Sequence, residues 1–530
     1  MSIVRRAPAW TLTVALAIVY LILAPQSPDL AAASYRSHLF SQVGFSLWDN
    51  SWLGGHHLPA YSLLAPALGA LIGAQLLAAI SMCVVSALFE AVIDGRFTPR
   101  AERIAALWLA LGAAISLLST RVAFDLGLAV GLGAVLLAQR GRLGWALVVS
   151  ILASLASPVA GAFLAVVMLA WALAARRAWP AVLCLAALVP IGALAVVFPE
   201  GGTQPYDPSS FYPALLGVVV IAVAIPAEQR ALRFGAVIYG LVLVGSFLIP
   251  SAVGGNADRL GALMAGPLAA CVLAVRSPGD RRMRALFVLA PFLLYWQANA
   301  PVADYAAVAS NPAVRASYYA PLLGELRALG IGYGARPARI EVVASDAHWE
   351  ARWLAPHVML ARGWERQLDR LYNGLFYGKE PLDAASYRRW LTEQAVSYVG
   401  LTDGALDYSS VGEAALLRGR AADGAGAYLR EIWHARHWRL FAVHPAAALA
   451  QAPATISAVS SESFTLAAPA PGSYEVRLRF TPYWAVAGGP GCVAEAPGGW
   501  TEVEARRSGQ IHVVISFSPA RIFSHGRRCA

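Results

Sequence analysis

Over residues 24–61 the chain reads APQSPDLAAASYRSHLFSQVGFSLWDNSWLGGHHLPAY. About forty residues hold Asp29, Asp49, Arg36, His38, His56, His57, Trp48 and Trp52. Carboxylates at this density suit proton transfer, or capture of a divalent cation such as Mg or Mn. Arg36, His56 and His57 add groups that bind polar substrates, and Trp52 offers a ring face for stacking. Each residue also has a plainer reading. Asp29 reads equally well as a helix N-cap, and Asp49-Asn50 as a turn. His56 and His57 read as ordinary loop residues. Farther along, Arg259 reads as an interfacial anchor or a ligand for an anion. Asp125 lies inside an apolar run one turn from Arg121, where an acid is costly and marks function by default.

Other chemistries lack their signatures. The sequence has no Walker loop, no dinucleotide fingerprint after a strand and no HExxH. Cys83, Cys184 and Cys271 fall in apolar runs and read as packing residues. Cys492 and Cys529 lie in the C-terminal part and can pair as a disulfide in an oxidising compartment. The formal charge of +10 does not point to nucleic acid, because the arginines sit in short clusters between apolar runs.

The elements that position these residues follow from hydropathy. Apolar residues make up 58% of the chain and charged ones 14%, against about 25% charged in soluble domains. The excess is concentrated before Gln297. Runs near 9–24, 63–92, 102–119, 122–138, 143–156, 158–175, 180–198, 213–226, 232–250, 259–275 and 284–297 read as about eleven transmembrane helices. Ser157-Pro158 reads as a boundary between two spans or a kink in one. With the N-terminus inside, the inner segments carry Arg5, Arg6, Arg96, Arg140, Arg142, Arg176, Arg177, Arg230, Arg276 and others. The short outer ones carry only Arg36, Arg121 and Arg259. An odd count then places the tail outside.

The expected organisation is a polytopic α-helical membrane domain over 1–298, with its long first external loop at 25–62. An extracytoplasmic α/β domain follows over 299–450 and a β-sandwich over 451–530. Strands are expected at Arg339–Ala344, Val396–Leu401 and Trp438–Val443, a helix at Ala384–Gln394, and period-two strands after residue 453.

One helix, a long external loop with an early acidic residue, many further helices and a trailing outer domain resemble the GT-C superfamily of membrane glycosyltransferases. The segment PDLAAASYRSHLF followed by WDNSWLGGHHLPAYSLLAP is similar to the first loop of the bacterial YfhO-like branch. The resemblance implies a bacterial plasma-membrane enzyme using a polyprenyl-phosphate sugar donor and a glycan or protein acceptor. It implies Asp29, then Asp49, as catalytic base or metal ligand, with Arg121 and Arg259 facing the leaving phosphate. Two other classes stay open: a transporter or flippase, favoured by Asp125, and a non-catalytic lipid-binding scaffold.

Overall fold

The computed structural model describes residues 7–274, 281–333, 336–378, 382–419, 424–524 and 526–529. Arg5, Arg6 and Arg276, used for the charge bias, lie outside these residues. The chain forms two compact units. One holds Met1–Gln42, Ala60–Ala195 and Thr203–Ala309; the other holds Val43–Pro59, Val196–Gly202 and Ser310–Ala530.

The first unit is helical: α1 Trp10–Leu23, α2 Pro28–Val43, α3 Ala65–Ile72, α4 Ala74–Ile93, α5 Pro99–Ser116, α6 Val122–Gln139, α7 Leu143–Ala156, α8 Pro158–Ala175, α9 Ala178–Val197, α10 Pro208–Ala224, α11 Arg230–Leu248, α12 Asp258–Leu273 and α13 Arg281–Val308. It has the apolar helices of a membrane-embedded domain, but not eleven spans. Among the described residues six are long and apolar enough to cross a membrane: α4, α6, α8, α9, α11 and α13. There are seven if α1 and α2, bent by 79° at their junction, count as one. The other expected spans fall short for identifiable reasons. Helices α7, α10 and α12 have 14, 17 and 16 residues, below the roughly 20 that a hydrocarbon core asks for. Helix α5 opens with Arg100, Glu102 and Arg103.

Local chemistry sets the breaks. Ala24 ends α1 in the left-handed region, φ +44°, and Pro25 follows. Ser157 is extended and its Oγ accepts from the Ala160 N–H at 3.4 Å, with Pro158 at the first helical position. Ser157-Pro158 is thus a helix boundary and not a kink. Small residues let helices approach: a Cβ on Gly161 would sit 2.2 Å from Ser154 Oγ. Gln297 ties three helices together, accepting from Trp108 Nε1 at 3.0 Å and donating to the Leu263 carbonyl at 3.1 Å. Helix α13 runs past the expected end at 297 to Val308.

In the second unit, β1 Trp48–Asp49 pairs antiparallel with β2 His56–His57. A five-stranded mixed sheet runs in the order β4-β3-β5-β7-β6, formed by β3 Arg339–Val342, β4 Met359–Leu360, β5 Val396–Thr402, β6 Leu429–His434 and β7 Trp438–Val443. Strands β4, β3 and β5 are parallel. Helices α14 Ala316–Ala328, α15 Glu350–Trp353, α16 Arg366–Tyr372, α17 Ala384–Glu393 and α18 Val411–Gly419 belong to this α/β part. Two four-stranded sheets follow. One orders Gly472–Arg479, Trp500–Ala505, Gly491–Ala496 and Arg528–Cys529; the other orders Trp484–Gly488, Gly509–Ile515, Ser463–Ala468 and Thr455–Val459. The expected alternation is present: Phe464, Leu466, Val476, Leu478, Val503, Ile511 and Val513 share one core. Cys492 faces Cys529 across the ladder and the two form a disulfide.

Candidate functional site

Ser27 organises the entry to α2. Its Oγ accepts from the Leu30 N–H at 3.4 Å and donates to the Ser119 carbonyl at 2.7 Å. The capping role read for Asp29 therefore belongs to Ser27. Asp29 lies one residue into α2, where the helix dipole favours a carboxylate.

Ser119 and Thr120 precede α6. Thr120 sits in the left-handed region, φ +52°, with its Oγ1 2.9 Å from the Tyr20 hydroxyl. This turn sets Arg121 at the N-cap position of α6. Arg121 Nε donates to Asp29 Oδ2 and its Nη2 to Asp304 Oδ2, both at 3.3 Å. Ser119 Oγ donates to the same Asp304 oxygen at 2.5 Å. The two aspartates remain 35% exposed. Asp304, near the end of α13, completes the cluster. The sequence reading stopped that helix at 297 and missed it; the continued helical stretch NAPVADYAAV after Gln297 was the available signal.

Asp125, one turn into α6, is wholly buried, and among the described residues its carboxylate oxygens meet no hydrogen-bond donor. It interacts electrostatically with Arg121 and Arg259. Arg259 lies in the first turn of α12, its guanidinium 5.6 Å from the Phe124 ring centre. Tyr61 is also within reach of its charge, and buried Arg36 stacks 4.1 Å over that ring. Helices α2, α6 and α12 thus bring their N-terminal ends together, and two of these ends carry an arginine. Partial positive charge at helix N-termini and two guanidiniums make the place attractive to an anion.

Asp29 and Asp304 converge on Arg121 through one carboxylate oxygen each. Among the described residues no group of three or more His, Cys, Asp or Glu could hold a metal ion.

Residues 43–59 of the expected external loop belong to the second unit. Asp49, Trp52, His56 and His57 belong to the second unit and are buried there. Asp49 Oδ1 accepts from the Ser51 N–H at 2.9 Å, a local turn contact. Trp52 has no exposed surface, so it offers no face to a sugar; it stacks on His56 at 5.6 Å. His57 bonds Glu200 Oε1 through Nδ1 at 2.7 Å and Thr481 Oγ1 through Nε2 at 3.0 Å. These four residues have the contacts of packing groups.

No protein-family model matches the chain, and no curated protein matches it either.

Proposed function

We propose that this chain is a glycosyltransferase of the bacterial plasma membrane, of the GT-C type. It moves a sugar from a polyprenyl-phosphate donor to an extracytoplasmic glycan or protein acceptor. The observation that carries the reading is half-exposed Asp29 held beside Arg121, where the N-termini of α2, α6 and α12 meet. A carboxylate and an anion-attracting surface are the two things this transfer needs. Asp29 takes the proton of the acceptor hydroxyl. The acceptor oxygen bonds the anomeric carbon, the bond from that carbon to the phosphate oxygen breaks, and the phosphate leaves with the electron pair. Arg259 and Arg121 balance its charge.

The test uses membranes supplied with labelled polyprenyl-phosphate sugar. Asp29→Asn is expected to keep donor binding and lose roughly 10²–10⁴-fold in transfer. Asp304→Asn, which removes only the second partner of Arg121, is expected to lose far less. Full activity in the Asp29 variant sinks the base assignment; loss only in the Asp304 variant moves the role there.

Asp125 supports a second reading, transport or flipping of a lipid-linked precursor, since a buried acid within a span is costly unless used. Under that reading Asp125→Asn stops movement of a labelled lipid across vesicles, and no transfer product forms in any variant.

A further inference from the structure

The second unit contains a cleft unrelated to the cluster around Arg121. It lies at the carboxyl ends of β3 and β4, the edge where open α/β sheets bind ligands. Glu341, His348, Glu350, Arg362, Trp364 and Tyr377 line it.

The charged groups in and around the cleft are mostly paired. Arg362 meets Asp369 through Nε at 3.1 Å and Nη2 at 2.7 Å, and its Nη1 lies 3.9 Å from Glu413. Arg366 meets Asp407 through both terminal nitrogens, at 2.8 and 2.6 Å. Glu350 accepts from Ser345 Oγ at 2.8 Å and lies 3.4 Å from His348 Nδ1. Glu413 accepts from the Tyr387 hydroxyl at 2.6 Å. Glu341 is different. It is fully buried, and among the described residues neither of its carboxylate oxygens has a hydrogen-bond partner. An orphaned buried carboxylate lining a cleft calls for a partner from outside the chain.

The walls indicate which partner. His348 is held in the left-handed region, φ +55°, bonded to Asp407 at 3.2 Å and stacked on Trp364 at 3.5 Å. Trp364 and Tyr377 are half-buried, so aromatic surface borders the acid. Carboxylate and aromatic rings together suit a compact cation that carries N–H donors.

We propose that this cleft binds the protonated primary amine of a small ligand, the ammonium donating to Glu341 beside Trp364 and Tyr377. Burial, with Glu413, Asp369 and Glu350 nearby, holds the Glu341 carboxyl well above the usual carboxylate range despite Arg362. An ammonium donating to Glu341 needs that carboxyl ionised, so binding there releases any proton the acid holds. Two sources share this chemistry, an amino sugar and an ethanolamine headgroup.

The experiment is titration calorimetry on the full chain in detergent, with glucosamine, ethanolamine and glucose as probes. Saturable binding of either amine is expected, with proton release visible as a dependence of the heat on buffer ionisation enthalpy. The amine that binds identifies the source, and glucose gives no saturable heat. Glu341→Gln should weaken binding at least about tenfold, the loss of a charge-assisted hydrogen bond. Trp364→Leu, which leaves the acids in place, should weaken it several-fold and serves if the first variant does not fold. Asp29→Asn should bind as the parent does, whatever becomes of the transferase reading. No saturable binding by either amine, equal binding of glucose, or unchanged affinity in the foldable variants would overturn the proposal.

Discussion

Arg121 holds two carboxylates with one guanidinium, and its value lies in keeping Asp29 and Asp304 together. Each pair is a third exposed on the acid side, so each contributes roughly 1 kcal/mol or less. Replacing Arg121 with Gln leaves two aspartates without their shared cation. The expected result is a lower melting temperature in detergent, partly restored by adding Asp304→Asn, because the second change removes the uncompensated repulsion. A double variant no more stable than Arg121→Gln alone would show that Arg121 balances neither acid. Asp29 and Arg36 were legible from residue type, and Arg121 and Arg259 also from their place at helix ends. Asp49, Trp52, His56 and His57 were legible as residue types, but the contacts that bury them in the second unit come from far along the chain. Asn50 Nδ2 donates to the Ser460 carbonyl at 2.9 Å, and a Cβ on Gly363 would sit 2.6 Å from Trp52. Contacts between residues some 300 to 400 positions apart leave no local pattern.

At the scale of elements, hydropathy found the helices but not their lengths. Helix ends depend on caps such as Ser157 and Thr98, whose side chains accept from the N–H three residues on, and α13 runs on past its expected end at 297 to Val308. The period-two strands were legible because one face of each is buried. The α/β part carries an internal pH dependence through α18. Burial pushes the Glu413 carboxyl up to about 7 from an ordinary 4.5, against the pull of Arg362 and Tyr387. A raised carboxyl favours the folded state while protonated. Its contribution is full below about pH 4.5 and is lost as the pH rises through about 7. Asp407, held far below the usual range by Arg366 and His348, acts oppositely and matters only in strong acid. Glu413→Gln keeps an acceptor for Tyr387 and removes the titration. Thermal unfolding followed by tryptophan fluorescence should show the variant melting higher than the parent at pH 8, with the gap closing by pH 4.5. A gap independent of pH would rule out titration of Glu413 as the cause.

For the molecule as a whole, two independent features bear on which side of the membrane the second unit occupies. The first is the arginine asymmetry: short segments with few arginines bear Arg36, Arg121 and Arg259, and basic clusters occupy the others. Asp29, Arg121 and Arg259, expected on one side, do meet in one cluster, and Asp304 joins them from near the C-terminal end of α13. The second is the disulfide between Cys492 and Cys529, a bond that persists in oxidising compartments and is rare in the cytosol. The free cysteines Cys83, Cys184 and Cys271 all lie in helices of the other unit. Both features predict an extracytoplasmic second unit. Reporter fusions after residues 60, 205, 255 and 310 should all read as external. Thiol labelling of the protein, denatured without reductant after extraction from cells, should leave Cys492 and Cys529 blocked and the other three reactive. Reductant should then open both. The two measurements fail separately: a cytoplasmic reporter signal at 310 with blocked thiols would mean the bond forms after lysis. External signals with free thiols would mean that the outer placement holds while the strand of Arg528–Cys529 is tied by its ladder alone.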